Sequence, residues 1–250
     1  MKTNWIIVIL LSLFISSCTT SQKLTVYTIG DSTMANKPNP EENPERGWAQ
    51  MLPQFFKDNV VIDNRAVNGR STRSFIDEKR WESVNNLLKK GDYVFIQFGH
   101  NDQKETDPKR YTNPHTAFRN NLILFIKETL QKGATPILFS PIIRRNFNKE
   151  GSLIDTHGEY PMEARMISKE YNIPFIDLQY LTEKLEESYG VEASKELHLH
   201  YKVGEINYFP EGKEDNTHLS VKGATEIAKI VIIELKLLNI PLSKKIKKSL

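Results

Sequence analysis

Short apolar runs alternate with longer polar or amphipathic stretches along most of the chain. The runs are rich in β-branched and aromatic residues, and their length is typical of buried strands and too short for buried helices. They predict five strands, at 24–29, 60–67, 92–98, 136–140 and 173–177. Apolar residues recur at helical spacing in several stretches between them, so the pattern predicts helices that alternate with strands.

Alternating strands and helices predict an α/β domain built on a parallel sheet, and right-handed crossovers leave few ways to connect it. No internal repeat or linker interrupts the pattern, so we expect a single domain over 24–240. Lysines dominate the last residues, and we therefore expect 241–250 to form a solvated basic tail.

Composition narrows the class of protein. The chain has 250 residues, of which 39% are hydrophobic and 26% charged, as is ordinary for one domain that buries a full core. Its formal charge of +3 is too small to argue for nucleic-acid binding. No block of mixed basic and aromatic residues suggests such binding either.

The N-terminus resembles an export signal. Lys2 precedes an apolar run over 5–15 that is too short to span a bilayer and has the length of a secretory signal core. Cys18, the only cysteine, follows this run, as in a bacterial lipoprotein signal whose cysteine receives the lipid. The alternative is an ordinary cleaved signal with an incidental cysteine. We expect a signal peptide over 1–17, a tether over 18–23, and a protein that is anchored to the cell envelope or secreted.

Residues suited to catalysis follow the first three predicted strands. Ser32 follows the first strand, Gly69 the second and Asn101 the third. In a doubly wound sheet of order 2-1-3-4-5 these strand ends are neighbours at the crevice where ligands bind. A serine is a poor nucleophile without a base. Near the C-terminus, His218 can supply the base and Asp215 can orient it. These residues predict acyl transfer by a serine nucleophile.

Each residue has a role in that chemistry. Ser32 attacks the carbonyl, His218 takes and returns the proton, and Asp215 orients the imidazole. The oxyanion hole then consists of the backbone N–H groups of Ser32 and Gly69 and the side-chain amide of Asn101. Glycine suits this position because a residue without Cβ lets substrate approach the backbone closely.

Structural interpretations compete with these roles. A serine at this position also caps helices, a glycine also makes turns, and Asn101 could hold its own loop. His100 is the rival base, since it lies on the same predicted rim as Asn101. We favour His218 because Asp215 precedes it by three residues, whereas Asp102 is too close to His100 for the same geometry to be assumed.

The sequence resembles the SGNH (GDSL-type) hydrolases, and its finer wording resembles their rhamnogalacturonan acetylesterase branch. The matching blocks span nearly the whole mature chain in the family's order: GDSTM at 30–34, RGWAQ at 46–50, NRAVNGRS at 64–71, FGHND at 98–102 and DNTHLSVKGA at 215–224. The resemblance implies a flavodoxin-like three-layer αβα sandwich with a five-stranded parallel sheet. It also implies ester hydrolysis without a metal or other cofactor, and deacetylation of a plant cell-wall polysaccharide.

Substrate recognition is the least specific signal. A galacturonate-containing chain carries carboxylates, for which arginine is the natural partner. Arg70 and Arg144, with His100, are the expected substrate-binding residues, and Arg73 and Arg145 are further candidates near the rim. The alternative for each arginine is a solvated loop charge.

The sequence thus predicts a monomeric serine esterase that removes acetyl groups from pectic rhamnogalacturonan or a similar glycan. We expect no nucleic-acid partner and no membrane contact beyond the lipid. A lipase or thioesterase is one alternative, although no long apolar lid is visible; an acetylxylan esterase and a non-catalytic glycan-binding module are others. A metal-dependent deacetylase would use His198 and His200, but no carboxylate or cysteine set completes a metal site at recognisable spacing.

Overall fold

The structure, a computed structural model, describes residues 23–248. The predicted signal peptide over 1–17, lipidation of Cys18 and most of the predicted tether lie outside these residues. Within 23–248 the strands are β1 Leu24–Gly30, β2 Glu45–Arg46, β3 Val60–Asn64, β4 Tyr93–Gln97, β5 Thr135–Phe139, β6 Phe175–Ile176, β7 His198–Tyr201 and β8 Lys213–Ser220.

Six α-helices connect these strands in the same part of the chain. They are α1 Thr72–Asp77, α2 Arg80–Leu87, α3 Arg119–Gln131, α4 Tyr160–Glu170, α5 Leu178–Ala193 and α6 Val221–Leu237. Helices α1 and α2 are separate because Lys79 between them adopts a left-handed conformation with φ of 56°. Short 3₁₀ helices add Trp48–Phe55, Ser194–Leu197 and Pro241–Lys245.

The five predicted strands form one parallel sheet in the order β3-β1-β4-β5-β6. This order confirms the predicted doubly wound arrangement. Every residue of the central strand β4 is buried, as expected when helices cover both faces of a parallel sheet. The carboxyl ends of β3, β1 and β4 therefore lie side by side at one edge.

Side chains that alternate along the strands build two separate cores. On one face, Phe95 of β4 packs in a cluster with Trp48 and with Val231 of α6. On the other face, the adjacent Ile96 packs with Phe75 of α1 and Phe125 of α3. Because successive strand residues point to opposite faces, neighbouring residues of one strand hold different layers together. The result is the three-layer α/β sandwich that the family resemblance implied.

A second sheet was not predicted. It is antiparallel, has the order β2-β8-β7, and pairs Glu45 with Ser220 and Arg46 with Leu219. Its central strand β8 carries Asp215 and His218, which lie outside the five predicted strands. This sheet brings the C-terminal block of the chain to the edge of the main sheet.

The expectation of a solvated tail from residue 241 is wrong for residues 241–246. Leu242 is fully buried and Ile246 is 5% exposed, and both belong to the core cluster that contains α6. Ile246 also forms an isolated antiparallel bridge with Phe56. The lysines around these two residues obscured their apolar contacts in the sequence.

Across residues 23–248, no helix combines the length and the apolar character that crossing a membrane requires.

The start of α6 depends on close contact between two backbones. Gly223 donates its N–H to the Ser220 hydroxyl at 3.1 Å, and a Cβ built on Gly223 would lie 2.0 Å from the carbonyl oxygen of Leu197. A backbone atom cannot rotate away as a side chain can. We therefore expect Gly223→Ala to lower the free energy of unfolding by about 3 kcal/mol, measured by urea denaturation.

Lys222→Ala is the matched control for this substitution. Lys222 is the preceding residue and is exposed, and its ammonium makes surface contacts with Glu196 and with the Tyr189 ring. Its loss should change the free energy of unfolding by less than about 1 kcal/mol. Equal unfolding midpoints for the two variants would contradict the close packing at Gly223.

Candidate active site

The loop that carries the nucleophile leaves β1 in a tight turn, which buried hydrogen bonds stabilise. Gly30 ends the strand where a Cβ would lie 2.6 Å from the carbonyl oxygen of Gln97, so only glycine fits without a shift. The next residue, Asp31, accepts hydrogen bonds through Oδ1 from the N–H of Thr33 at 3.0 Å and its hydroxyl at 2.8 Å. Gln97 in turn donates to the Thr33 hydroxyl at 2.8 Å. These buried contacts fix the position of Ser32.

Asp31 itself is fully buried. Burial raises the pKa of this carboxyl group, and the hydrogen bonds from Thr33 oppose the shift. Its contacts with Thr33 hold the turn that carries Ser32.

On β8, Asp215 and His218 form a compact unit. Asp215 accepts the N–H groups of Thr217 and His218 through Oδ1, each at 2.9 Å, and its Oδ2 lies 2.8 Å from His218 Nδ1. Burial alone would raise the pKa of Asp215, but the hydrogen bonds and charge of His218 outweigh it and hold the pKa far below its ordinary value. Asp215 therefore remains ionised beside the imidazole.

The other imidazole nitrogen reaches the nucleophile loop. His218 Nε2 lies 3.0 Å from Ser32 Oγ, although 186 positions separate the two residues. Nucleophile, base and orienting carboxylate are thus within hydrogen-bond reach in series, the arrangement that activates a serine. The adjacent Asn216 is held by Arg145, which donates its N–H to the Asn216 carbonyl at 2.9 Å and its guanidinium to the side-chain oxygen at 3.0 Å.

The remaining predicted residues lie at the ends of the neighbouring strands. Gly69, after β3, has φ of +76°, a left-handed conformation that favours glycine. Asn101, after β4, is 4% exposed and donates through Nδ2 to the carbonyl oxygen of Arg70 at 3.2 Å. One amide proton is thereby used in holding the Gly69 loop, and the second is available to a substrate.

A cleft of about 460 Å³ lies over these groups. It is lined by Ser32, Glu45, Asn68, Gly69, Asn101, Lys104, Leu199, Tyr208, Phe209, Lys213, Asp215 and His218. Tyr208 and Phe209 pack edge to face, with ring centroids 5.0 Å apart. They come from a segment, 202–212, whose sequence did not identify any function.

The predicted substrate-binding residues lie outside the cleft lining. The Arg70 guanidinium pairs with Glu78 at 3.1 Å. His100 is 3% exposed and packs on His157, with 3.1 Å between ring nitrogens. Burial, followed by the charge of His157, lowers the pKa of His100 well below its ordinary value. Arg144 donates to the Thr156 hydroxyl at 3.0 Å and to the carbonyl of His100 at 3.3 Å.

The cations that do line the cleft are two lysines, Lys104 and Lys213. Lys104 lies two residues after the FGHND block, and Lys213 begins β8 and lies 3.7 Å from Asp215 Oδ2. Sequence analysis missed both, because no local pattern separates a cleft lysine from a solvated one. The only available signal was the closeness of Lys104 to a family block.

The two histidines considered as metal ligands have other partners. His198 Nε2 lies 2.6 Å from Glu186 Oε1 with both side chains buried, and His200 Nε2 lies 2.8 Å from Asn216 Oδ1. Over residues 23–248, no cluster of three or more histidine, cysteine or carboxylate side chains is arranged to hold a metal ion.

Comparisons with known proteins identify the family. The model of the GDSL-like lipase/acylhydrolase family matches residues 28–225. A protein named rhamnogalacturonan acetylesterase RhgT, from Bacillus subtilis (strain 168), is 41% identical over 219 residues, which cover 88% of this chain and 92% of that protein. A protein from the same strain named probable rhamnogalacturonan acetylesterase YesY is 31% identical, over 88% of this chain and 96% of its own.

The fold comparison agrees. The crystal structure of the Bacillus subtilis protein YxiM superposes with a TM-score of 0.72 at 25% identity, over 88% of this chain and 58% of that one. The chain is a carboxylic ester hydrolase, and it belongs to the GDSL-like lipase/acylhydrolase family.

Proposed function

We propose that the protein is a carbohydrate acetylesterase that works by a Ser-His-Asp mechanism on pectic rhamnogalacturonan. One observation carries the mechanism: Ser32 Oγ lies 3.0 Å from His218 Nε2 while His218 Nδ1 lies 2.8 Å from Asp215. No other pair in the cleft combines a nucleophile with an oriented base. The names of the two bacterial relatives support the substrate class.

The chemistry follows from these positions. Ser32 Oγ attacks the acetyl carbonyl carbon as His218 Nε2 accepts its proton. The N–H groups of Ser32 and Gly69, with the Asn101 amide, donate to the oxygen that becomes negative. His218 then returns the proton to the departing sugar hydroxyl. A water molecule, deprotonated by His218, releases acetate from the acetyl-serine and restores the hydroxyl.

Uronate recognition is assigned to Lys104 in place of the arginines. Lys104 lines the cleft beside Asn101, whereas Asp107 in the same loop pairs with Arg110. Burial, then repulsion from the nearby charges of Arg110 and Arg144, lower the pKa of Lys104. A substrate carboxylate would oppose that repulsion. The aromatic pair in the cleft offers a surface for a sugar ring.

The same proposal includes the cellular location. The N-terminal sequence supports export with a lipid on Cys18, which would hold a monomeric enzyme at the cell envelope, facing the periplasm or the cell surface. No nucleic acid, metal or cofactor enters the reaction.

Removal of the nucleophile tests the mechanism directly. We expect Ser32→Ala to lower acetate release from acetylated rhamnogalacturonan by about 10⁶-fold, as loss of a triad serine does elsewhere. Circular dichroism should be unchanged, because within residues 23–248 the hydroxyl forms a hydrogen bond only with His218. Activity retained by a folded Ser32→Ala protein would refute the assignment.

Substrate panels separate the alternatives. Acetylated xylan and synthetic esters of increasing acyl length should be assayed beside the pectic substrate. Higher kcat/KM on acetylated xylan would indicate an acetylxylan esterase with the same mechanism. Preference for long acyl chains would indicate a lipase.

Asn101→Ala tests the oxyanion assignment. Because the donated bond strengthens as charge develops, we expect kcat to fall by about 10²–10³-fold with little change in KM. Steady-state kinetics on p-nitrophenyl acetate would measure both. A rise in KM alone would instead make Asn101 a ground-state binding residue.

Lys104→Met tests uronate recognition. The informative quantity is kcat/KM on acetylated rhamnogalacturonan fragments divided by kcat/KM on acetylated xylan fragments, which carry fewer carboxylates. Loss of one charge-assisted contact should lower this ratio about tenfold. Lys109→Met, an exposed lysine of the same loop that does not line the cleft, is the control. Equal ratios in the two variants would contradict the role of Lys104.

A further inference from the structure

Lys37 is a buried lysine beside the catalytic groups, and its side chain is 1% exposed. Its ammonium lies 2.7 Å from the carbonyl oxygen of Ser32, 2.6 Å from Asn68 Oδ1 and 2.7 Å from Glu45 Oε1. An ammonium has three N–H donors, so each donor has one acceptor and none is spare. The sequence around Lys37 is rich in proline and asparagine and predicted only a loop.

The three acceptors belong to the three segments that must meet for catalysis. Ser32 is the nucleophile. Asn68 directly precedes Gly69, the second backbone donor of the oxyanion hole. Glu45 lies on β2, where it pairs with Ser220, two residues after the base His218. One ammonium thus joins the nucleophile loop, the oxyanion loop and the sheet that carries the base.

We infer that Lys37 is a positioning residue that sets the geometry of the oxyanion hole and of the Ser32–His218 contact, an inference that rests on the proposed Ser-His-Asp mechanism. The bond to the Ser32 carbonyl fixes the orientation of the residue that bears Oγ. The bond to Asn68 fixes the distance between the loops that supply the two backbone N–H donors. Lys37 touches neither substrate nor the reacting atoms.

The main-chain contact between the nucleophile loop and the oxyanion loop does not fix the ends of these loops, whereas Lys37 contacts both. The main-chain link between the two loops is the bond from the N–H of Val67 to the carbonyl of Gly30 at 3.1 Å, which lies at the base of the loops. Asn68 is exposed, so water could satisfy its side chain if stability alone were at stake. Its bond to a buried ammonium instead holds an exposed loop in a defined place. Such preorganisation matters because donors must already point at the position of the developing charge.

Lys37→Ala with chemical rescue is the decisive experiment. We expect kcat on p-nitrophenyl acetate to fall by about 10²-fold with KM nearly unchanged, the loss typical of a displaced oxyanion donor. Propylammonium replaces the atoms from Cγ to Nζ and should raise the kcat of the variant at least about tenfold. Propyltrimethylammonium carries the same charge without N–H donors and should restore nothing. Complete labelling of the enzyme with a fluorophosphonate counts the active sites in each sample.

Two results would overturn the inference. One is a wild-type kcat per labelled site in Lys37→Ala, which would make the lysine a stability element only. The other is equal rescue by the two ammonium ions, which would make charge rather than the donated bonds responsible. Ser32→Ala, assayed in parallel, keeps these results apart from failure of the mechanism: if it retains activity, the mechanism itself is wrong.

Asn68→Ala provides a second test if Lys37→Ala does not fold. Because Asn68 is exposed, the substitution should leave the fold intact while removing one of the two loop acceptors. We expect kcat to fall about tenfold and propylammonium to have no effect. An unchanged kcat in Asn68→Ala would overturn the bridging role of Lys37.

Discussion

The proposed activity depends on one contact between residues that are remote in sequence, the 3.0 Å approach of Ser32 Oγ to His218 Nε2. The two side chains belong to different sheets, so neither sheet alone determines their distance. The main parallel sheet places the nucleophile at the end of β1, and the small antiparallel sheet places the base on β8. The distance between Ser32 Oγ and His218 Nε2 is therefore set by the contacts that join the two sheets. Lys37 and Glu45 lie at that junction, as does the pairing of β2 with β8.

The pKa values of two carboxylates at this edge are shifted in opposite directions, because hydrogen bonds and charge outweigh burial at only one of them. Burial raises the pKa of Asp102 to about 7, against hydrogen bonds from Thr72 and Thr112. A pKa raised on folding gives stability that is complete below the unfolded value and is lost as pH rises through about 7. The pKa of Asp215 is lowered, so its contribution is present above the unfolded value and is lost as pH falls through the folded one. Asp102 therefore contributes most to folding stability at acidic pH. Asp215, which orients the base, contributes most at neutral pH.

The sequence predicted the main sheet because its strands are buried on both faces, which leaves apolar runs that are visible without tertiary information. It also predicted Ser32, Gly69 and Asn101 as neighbours, since strand order alone brings those ends together. It did not predict β8. The residues KEDNTHLS over 213–220 have no strand-like alternation, and their conformation comes from pairing with β2 and β7.

Charged residues were the hardest to assign, because type and loop position do not determine where a long side chain ends. Arg145 looked like a substrate contact and instead holds Asn216 beside the base. Lys37 was not identified from the sequence, yet it is buried with its three donors satisfied.

The division between catalysis and recognition follows from where the two sets of residues lie. The groups assigned to acyl transfer follow sheet strands or lie on β8, and their positions are fixed by hydrogen bonds to buried neighbours. The groups assigned to substrate recognition, Lys104 and the pair Tyr208 and Phe209, lie on loops that contribute little to the core. Such loops can change without disturbing the chemistry beneath them. The same ester-cleaving edge therefore suits many acylated substrates within one family, and the substrate of this protein must be sought in its loops rather than in its triad.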